Sequence, residues 1–177
     1  YYQSAAAGTS KVKLEGEYIT STTSQTIYPM EDTRSAITSP ISTKYAMLNG
    51  IGGVGGDKWQ TSGQALTWKF AVDNSGVYNI VARFSQSTLD GMYASRSLAI
   101  YTDYTEEEYK AKFGNLDGYY NGIPFVEASK LRFDYNSDWQ AKILSDGVTD
   151  FEFYFREGVD YTIELCVTLG SMGDLVS

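Results

Sequence analysis

The stretch ALTWKFAVDNSGVYNIVARF, residues 65–84, decides the fold class of this 177-residue chain. Apolar and polar residues alternate on both sides of residues 73–76, which is the pattern of a half-buried β-strand. The apolar set consists of Leu66, Trp68, Phe70 and Val72 in the first half and Tyr78, Ile80, Ala82 and Phe84 in the second. Residues 73–76, Asp-Asn-Ser-Gly, tolerate the backbone of a tight turn. The stretch therefore predicts a β-hairpin in which residues 65–72 pair with residues 77–84.

Similar alternation recurs along the chain, in short segments bounded by Gly, Asp, Asn or Ser. These segments are residues 11–18, 96–101, 131–135, 151–155 and 161–169. Six or more short strands without alternating helices predict an all-β protein, a β-sandwich or jelly roll. Residues 1–10 have the small side chains of a linker, so we expect one domain over residues 11–177.

One helix is predicted within this all-β pattern, over residues 106–113. Thr105 can cap its first turn, Glu108 completes a capping box at the third helical position, and Gly114 can end it. The helix lies between two predicted strands. We therefore interpret residues 104–122 as a surface insertion, a place where function often resides.

Composition excludes several function classes. A net charge of −8 repels phosphate backbones and anionic headgroups, so nucleic acid and membrane surfaces are poor partners, and no apolar run is long enough for membrane insertion. The chain has no histidine and one cysteine, Cys166, so an internal disulfide, a Cys/His metal site and a histidine general base are all excluded.

The order of several short motifs resembles a known family. They are residues 14–18 (LEGEY), 49–53 (NGIGG) leading to Trp59, 76–78 (GVY) with Arg83, 96–98 (RSL), then Pro124, Phe125, Glu127, Tyr135, Trp139 and 165–170 (LCVTLG). This order resembles the β-jelly-roll carbohydrate-binding modules of families 6 and 35. It resembles more closely a galactose-binding-like domain of the extracellular solute-binding lipoproteins of Gram-positive sugar ABC transporters. The similarity spans roughly residues 11–175, with the 104–122 insertion and Cys166 as departures.

The resemblance implies an extracellular protein at the bacterial cell surface that holds a glycan or the neighbouring domains of its parent chain. It also implies a structural calcium bound by Glu15 and Glu17, with Asp160 or Asp174 completing the site. Period 2 places both glutamates on one strand face, where a hard cation relieves their repulsion. The alternative is that both glutamates are simply solvated.

A sugar site needs an aromatic ring for the C–H face of the pyranose and planar polar groups for its hydroxyls. The candidate rings are Trp59, Tyr93 and Trp139, which fall in predicted loops, and the candidate polar partners are Gln86, Arg96, Asp134 and Asn136. Each has a plainer alternative. Trp59 and Trp139 can plug the open ends of a sandwich core, and Trp68 on its strand face is expected to be core.

Three functions compete. The leading hypothesis is a non-catalytic carbohydrate-binding module that binds an oligo- or polysaccharide. The second is a structural or interaction domain of a solute-binding protein that binds no sugar itself. The third, a small glycoside hydrolase, needs two carboxylates fixed across a cleft, and no spacing in the sequence fixes such a pair. We therefore expect no enzymatic activity.

Overall fold

A computed structural model describes most of the C-terminal two thirds of the chain and several short segments before it. The described residues are 7–9, 11–14, 19–23, 29–30, 47–48, 62–86, 93–126 and 131–167. At 29–30, 47–48, 85–86, 123–126, 137 and 139 the description covers the backbone alone. The described residues contain no helix long and apolar enough to span a bilayer.

Strands dominate, as the sequence predicts for an all-β protein. In chain order the elements are β1 Ser21–Thr22, β2 Pro29–Met30, β3 Met47–Leu48, β4 Ala65–Phe70, β5 Gly76–Tyr78, β6 Val81–Gln86, β7 Tyr93–Ser95, β8 Ser97–Thr102, α1 Glu106–Phe113, β9 Asn121–Val126, β10 Arg132–Asp134, β11 Asn136–Ile143, β12 Phe153–Phe155 and β13 Tyr161–Cys166.

The largest sheet has five antiparallel strands in the order β1-β4-β13-β8-β9. Ile163 on β13 pairs with Trp68 on one side and with Ile100 on the other. Ile163 and Ile100 are buried, and Trp68 is half-buried against the core. The alternation in β4 and β13 thus predicted their apolar faces correctly.

Four further strand pairs, β2-β3, β10-β7, β11-β6 and β12-β5, are also antiparallel. Apolar side chains of the last three pairs join those of the five-stranded sheet in one core. Phe70 of β4, for example, meets Phe155 of β12 edge to face, with ring centroids 5.0 Å apart, and Phe155 lies 4.8 Å from Tyr161 of β13. Aromatic packing therefore joins the five-stranded sheet to the strand pairs.

The predicted hairpin over residues 65–84 is wrong in its pairing. β4 lies between β1 and β13, whereas β5 pairs with β12 and β6 with β11. The turn carries the chain from the five-stranded sheet to the strand pairs. Alternation shows which face of a strand is buried but not which strand lies beside it, and this explains the error.

The N-terminal prediction also needs correction. Residues 11–14, the described part of the predicted strand 11–18, are not in a strand, and Val12 and Leu14 are 44 % and 43 % exposed. Part of the predicted linker does contact the domain. The N–H of Gly8 donates to the carbonyl oxygen of Val77 at 2.8 Å, and a parallel bridge joins Ala7 to Val77.

The helix α1 is confirmed with its predicted caps. The Thr105 side chain accepts from the N–H of Glu108, the Glu108 carboxylate accepts from the N–H of Thr105 at 2.9 Å, and Gly114 ends the helix with φ 81°. Tyr109 on this helix is fully buried, and its hydroxyl donates to the carbonyl oxygen of Asp117 at 2.6 Å. The 104–122 segment thus contributes a side chain to the core as well as an exposed helix face.

Candidate functional site

A polar outer face is built by β7 and β10. Tyr93 pairs with Asp134, and Arg132 pairs with Ser95. The residues between them, Ala94 and Phe133, are buried, so the pleat places Tyr93, Arg132 and Asp134 on the opposite face. Tyr93 was predicted to lie in a loop; it is instead the first residue of β7. A strand holds the ring more rigidly than a loop does.

The next strand pair continues this surface. β11 begins two residues after Asp134, and its first residue, Asn136, pairs with Gln86 at the end of β6. Strand pairing therefore brings the backbones of three predicted ligand-binding residues, Gln86, Tyr93 and Asp134, close together in space. We call this surface the Tyr93 face and define it by Tyr93, Arg132, Asp134 and Asn136.

A bulge adjoins the Tyr93 face and contains Trp139. From Asn136 to Gln140 there are four residue steps on β11, but their partners Gln86 and Phe84 are only two steps apart on β6. The Asn136 side chain accepts from the N–H of Asp138 at 3.0 Å, which shapes this irregular segment. Trp139 therefore lies in a bulged strand rather than in a loop, and bulges often re-aim side chains next to sites.

Arg132 was not predicted from the sequence, and it is the best-defined cation of the Tyr93 face. Its guanidinium carbon lies 4.2 Å from the centroid of the Tyr93 ring, within the range of a cation–π interaction. Its backbone N–H donates to the carbonyl oxygen of Ser145 at 3.3 Å. The signal was present, because alternation over residues 131–135 places Arg132 on the same face as Asp134.

Asp134 has partners on β11. Its carboxylate lies 3.4 Å from the ammonium of Lys142, and both side chains are about half exposed, at 53 % and 51 %. Its backbone oxygen accepts from the side-chain amide of Gln140 at 2.9 Å. An exposed ion pair contributes little stability, of order 0 to 1 kcal/mol, so the carboxylate can exchange Lys142 for a ligand hydroxyl at small cost.

A tight turn after β11 flanks Arg132. The Asp146 carboxylate accepts from the N–H groups of Val148 and Thr149 at 2.8 and 2.6 Å. These bonds, with the larger effect from Thr149, lower the pKa of Asp146 below its usual range. The turn places Gly147 so that a Cβ there would lie 3.5 Å from Cδ of Arg132. The turn therefore packs against the aliphatic part of the arginine.

Arg96 is not part of the exposed surface. It follows β7, is only 1 % exposed, and its guanidinium donates to the carbonyl oxygen of Ser95. A ligand on the outer face of β7 and β10 does not reach it in this conformation. The arginine beside the Tyr93 ring is Arg132, whereas Arg96 was the arginine named from the sequence as a polar partner.

The remaining predicted residues are not placed. Trp59, Glu15 and Glu17 lie outside the described residues, and Gln86 and Trp139 are described by their backbone alone. Within the described ranges, no group of three or more His, Cys, Asp or Glu side chains could hold a metal ion. The calcium site is therefore still a prediction.

Cys166, the single thiol, lies half-buried on β13. Burial, and to a lesser degree the Glu164 carboxylate, raise the pKa of the thiol. Its Sγ lies 3.6 Å from the carbonyl oxygen of Val167. The nucleophilic thiolate form is therefore disfavoured at neutral pH.

No protein-family model matches this sequence, and no curated protein is significantly similar to it. What the protein binds must therefore be inferred from its residues. The Tyr93 face offers an aromatic ring, a cation, a carboxylate and an amide on adjoining strands. Such a surface can hydrogen-bond a ligand rich in hydroxyl groups.

Proposed function

We propose that the chain is a non-catalytic carbohydrate-binding module of an exported bacterial protein, with a galactose-binding-like jelly-roll fold, acting outside the cell. The observation that carries this proposal is the cross-strand pairing of Tyr93 with Asp134, beside Arg132. An aromatic ring beside planar polar groups is what a pyranose requires, because its C–H face and its hydroxyls need different partners.

Two further properties support this function. The Tyr93 face is built on paired strands, so a sugar binds without the entropy loss of ordering a loop. A net charge of −8 also disfavours phosphate polymers and suits a partner that carries hydroxyl groups. Calcium bound by Glu15 and Glu17 remains part of the proposal.

A second candidate, an interaction domain of a solute-binding protein, is favoured by an exposed apolar pair. Val81 on β6 pairs with Ile143 on β11, and these residues are 61 % and 36 % exposed. Val148 in the following turn is 93 % exposed. Apolar side chains in paired positions are typical of a protein contact surface when they form a contiguous patch.

The test is a glycan microarray, run with and without calcium and followed by calorimetry on any hit. We expect binding that is lost in Tyr93→Ala. The matched control is Tyr154→Ala, since Tyr154 is also a half-buried strand tyrosine but lies on β12, which pairs with β5. Both variants should show the circular dichroism spectrum of the native protein.

The outcomes separate the two candidates. Binding that Tyr93→Ala removes and Tyr154→Ala keeps supports the module and locates its site. Equal losses in both variants point to a general effect on the fold and contradict a site at Tyr93. No binding to any glycan with calcium present contradicts the module and favours the interaction domain.

A further inference from the structure

We infer that Arg132 and Asp146 are positioning residues of the Tyr93 face. The turn after β11 holds the Arg132 guanidinium on one side of the Tyr93 ring, so that the ring offers a sugar only its other side. This inference rests on the proposed carbohydrate-binding function and adds the residues that shape its site. It follows from the contacts that Arg132 makes with Tyr93 and with residues 145–149.

The Arg132 guanidinium lies over the ring of Tyr93, with its central carbon 4.2 Å from the ring centroid. A guanidinium is planar, and it stacks on an aromatic face through both charge and contact area. A pyranose uses an aromatic ring in the same way, by placing its C–H face against the ring face. The side of the ring that carries Arg132 is therefore closed to a sugar, and the opposite side is the one that can bind.

Two contacts hold Arg132 from the side of the turn. Its backbone N–H donates to the carbonyl oxygen of Ser145 at 3.3 Å. A Cβ on Gly147 would lie 3.5 Å from Cδ of Arg132, which is an ordinary contact distance, so the backbone of the turn packs against the aliphatic part of the side chain. The turn thus fixes both the backbone of Arg132 and the middle of its side chain.

Asp146 adds an electrostatic contact. Its carboxylate accepts from the N–H groups of Val148 and Thr149 at 2.8 and 2.6 Å, which fixes its position in the turn. These bonds, the Thr149 bond most, and to a lesser degree the charge of Arg132 lower the pKa of the Asp146 carboxyl. The attraction is mutual, because a cation that stabilises a carboxylate is stabilised by it in turn. A fixed carboxylate therefore helps to hold an exposed guanidinium.

The two cations of this surface have separate anions. Asp134, the carboxylate of the Tyr93 face, pairs with the ammonium of Lys142 at 3.4 Å, whereas Arg132 interacts with Asp146. Arg132 is thus ordered by the turn and by the Tyr93 ring. Ordering an arginine side chain costs conformational entropy, and here most of that cost is met on folding rather than on binding. Tyr93 and its cover therefore form a preorganised surface.

The first measurement is made by NMR on the full chain without any sugar. Protons above an aromatic ring are shifted upfield by its ring current, so the side-chain proton signals of Arg132 report the contact. We expect an upfield shift in the native protein, its loss in Tyr93→Leu and a clear reduction in Asp146→Asn, because Asn keeps an oxygen for the two turn N–H groups but has no charge. Asp150→Asn removes an equal charge from the same turn and, as the matched control, should leave the shift unchanged.

The second measurement is calorimetry with neutral oligomers of galactan, xylan and glucan. We expect Asp146→Asn to weaken binding by about two- to fivefold, the factor that an exposed cation–π contact is worth. In an Arg132→Gln background, Asp146→Asn should cause no further loss, because its effect passes through Arg132. Arg132→Lys should restore part of the affinity, since an ammonium also binds a ring face but lacks the flat stacking surface. Unfolding midpoints of all variants show whether the fold is kept.

Each outcome bears on a different claim. Arg132 signals at their ordinary positions in the native protein overturn the contact with Tyr93 and this inference with it. A shift that Asp146→Asn leaves intact, or affinity losses that add in the double variant, overturn the role of Asp146. A native shift with unchanged affinity in Arg132→Gln overturns the positioning role and leaves the proposed function standing. Failure of all three oligomers, together with a microarray without hits, overturns the proposed function, whereas the NMR shift still decides whether the turn holds Arg132.

Discussion

The hydroxyl of Tyr161, at the start of β13, donates a 2.8 Å hydrogen bond to the carbonyl oxygen of Gly118 in the loop after α1. The same hydroxyl accepts from the backbone N–H of Arg156 at 2.9 Å. Tyr161 is fully buried, so one side chain joins the central strand, the β12–β13 connection and the 104–122 segment. The Tyr161 hydroxyl thus links three separate parts of the chain through two hydrogen bonds.

Replacing Tyr161 by Phe should destabilise the protein by about 1 to 3 kcal/mol, because the Gly118 carbonyl and the Arg156 N–H lose a partner inside the structure. Urea unfolding followed by circular dichroism measures the change. The control is Tyr119→Phe, since the hydroxyl of half-buried Tyr119 makes no hydrogen bond with the described residues. A control as destabilised as Tyr161→Phe would refute the role of the hydroxyl.

Alkaline pH should lower the free energy of unfolding of the native protein more than that of the Tyr161→Phe variant. Burial raises the pKa of Tyr161 above the ordinary tyrosine value of about 10. A group whose pKa is raised by folding stabilises the fold fully below the unfolded pKa and loses that contribution as pH rises through the folded pKa. The free energy of unfolding should therefore fall above about pH 10, and Tyr161→Phe should show a shallower fall. Parallel curves for the two proteins would contradict this.

Gly118→Ala should destabilise the protein more than Gly114→Ala. Both glycines are left-handed, with φ 79° and 81°, so both substitutions carry a similar backbone strain of about 1 to 2 kcal/mol. At Gly118 the new Cβ would also lie 2.9 Å from the Tyr161 hydroxyl oxygen, whereas at Gly114 nothing lies within 4 Å. Comparing the two unfolding free energies isolates the contact. Equal losses would show that the close approach is relieved without strain.

The capping box should contribute to the free energy of unfolding at neutral pH, and this contribution should be lost at acidic pH. The hydrogen bond from the N–H of Thr105 lowers the pKa of the Glu108 carboxyl. A group whose pKa is lowered by folding contributes stability above its unfolded pKa, about 4.3, and loses it as pH falls through the folded value. NMR titration should place the Glu108 pKa below the ordinary glutamate value, and Thr105→Ala, which keeps the N–H but removes the side-chain hydrogen bond, should raise it only part of the way. A Glu108 pKa at the ordinary glutamate value in the native protein would contradict the assignment.

Local signals predicted α1 and its caps because Thr105, Glu108 and Gly114 all lie within ten residues of one another. The hairpin error at residues 65–84 has the opposite origin. The partner of β4 is β13, and no feature of the turn can reveal a partner so distant along the chain. Alternation did predict the buried faces, since Leu66 and Ile163 are both buried.

The candidate site was predicted only in part, because it too depends on pairing between strands that are distant along the chain. Tyr93 and Asp134 were both named from the sequence, but their contact depends on the pairing of β7 with β10. Arg132 was missed although it alternates with Asp134, because a charged residue on a strand is usually only solvated. Arg96 was expected at the surface and is buried, since it lies between β7 and β8 rather than on an outer face.

The position of β13 between β4 and β8 has a consequence for how the protein assembles. The central strand of the five-stranded sheet is the last strand along the described chain, so β4 and β8 have no bridge between them until residues 161–166 are in place. Long-range pairing of this kind slows folding and leaves strand edges exposed meanwhile. Until β13 pairs with both strands, β4 and β8 each keep one unpaired edge, to which a chaperone or a second chain can bind.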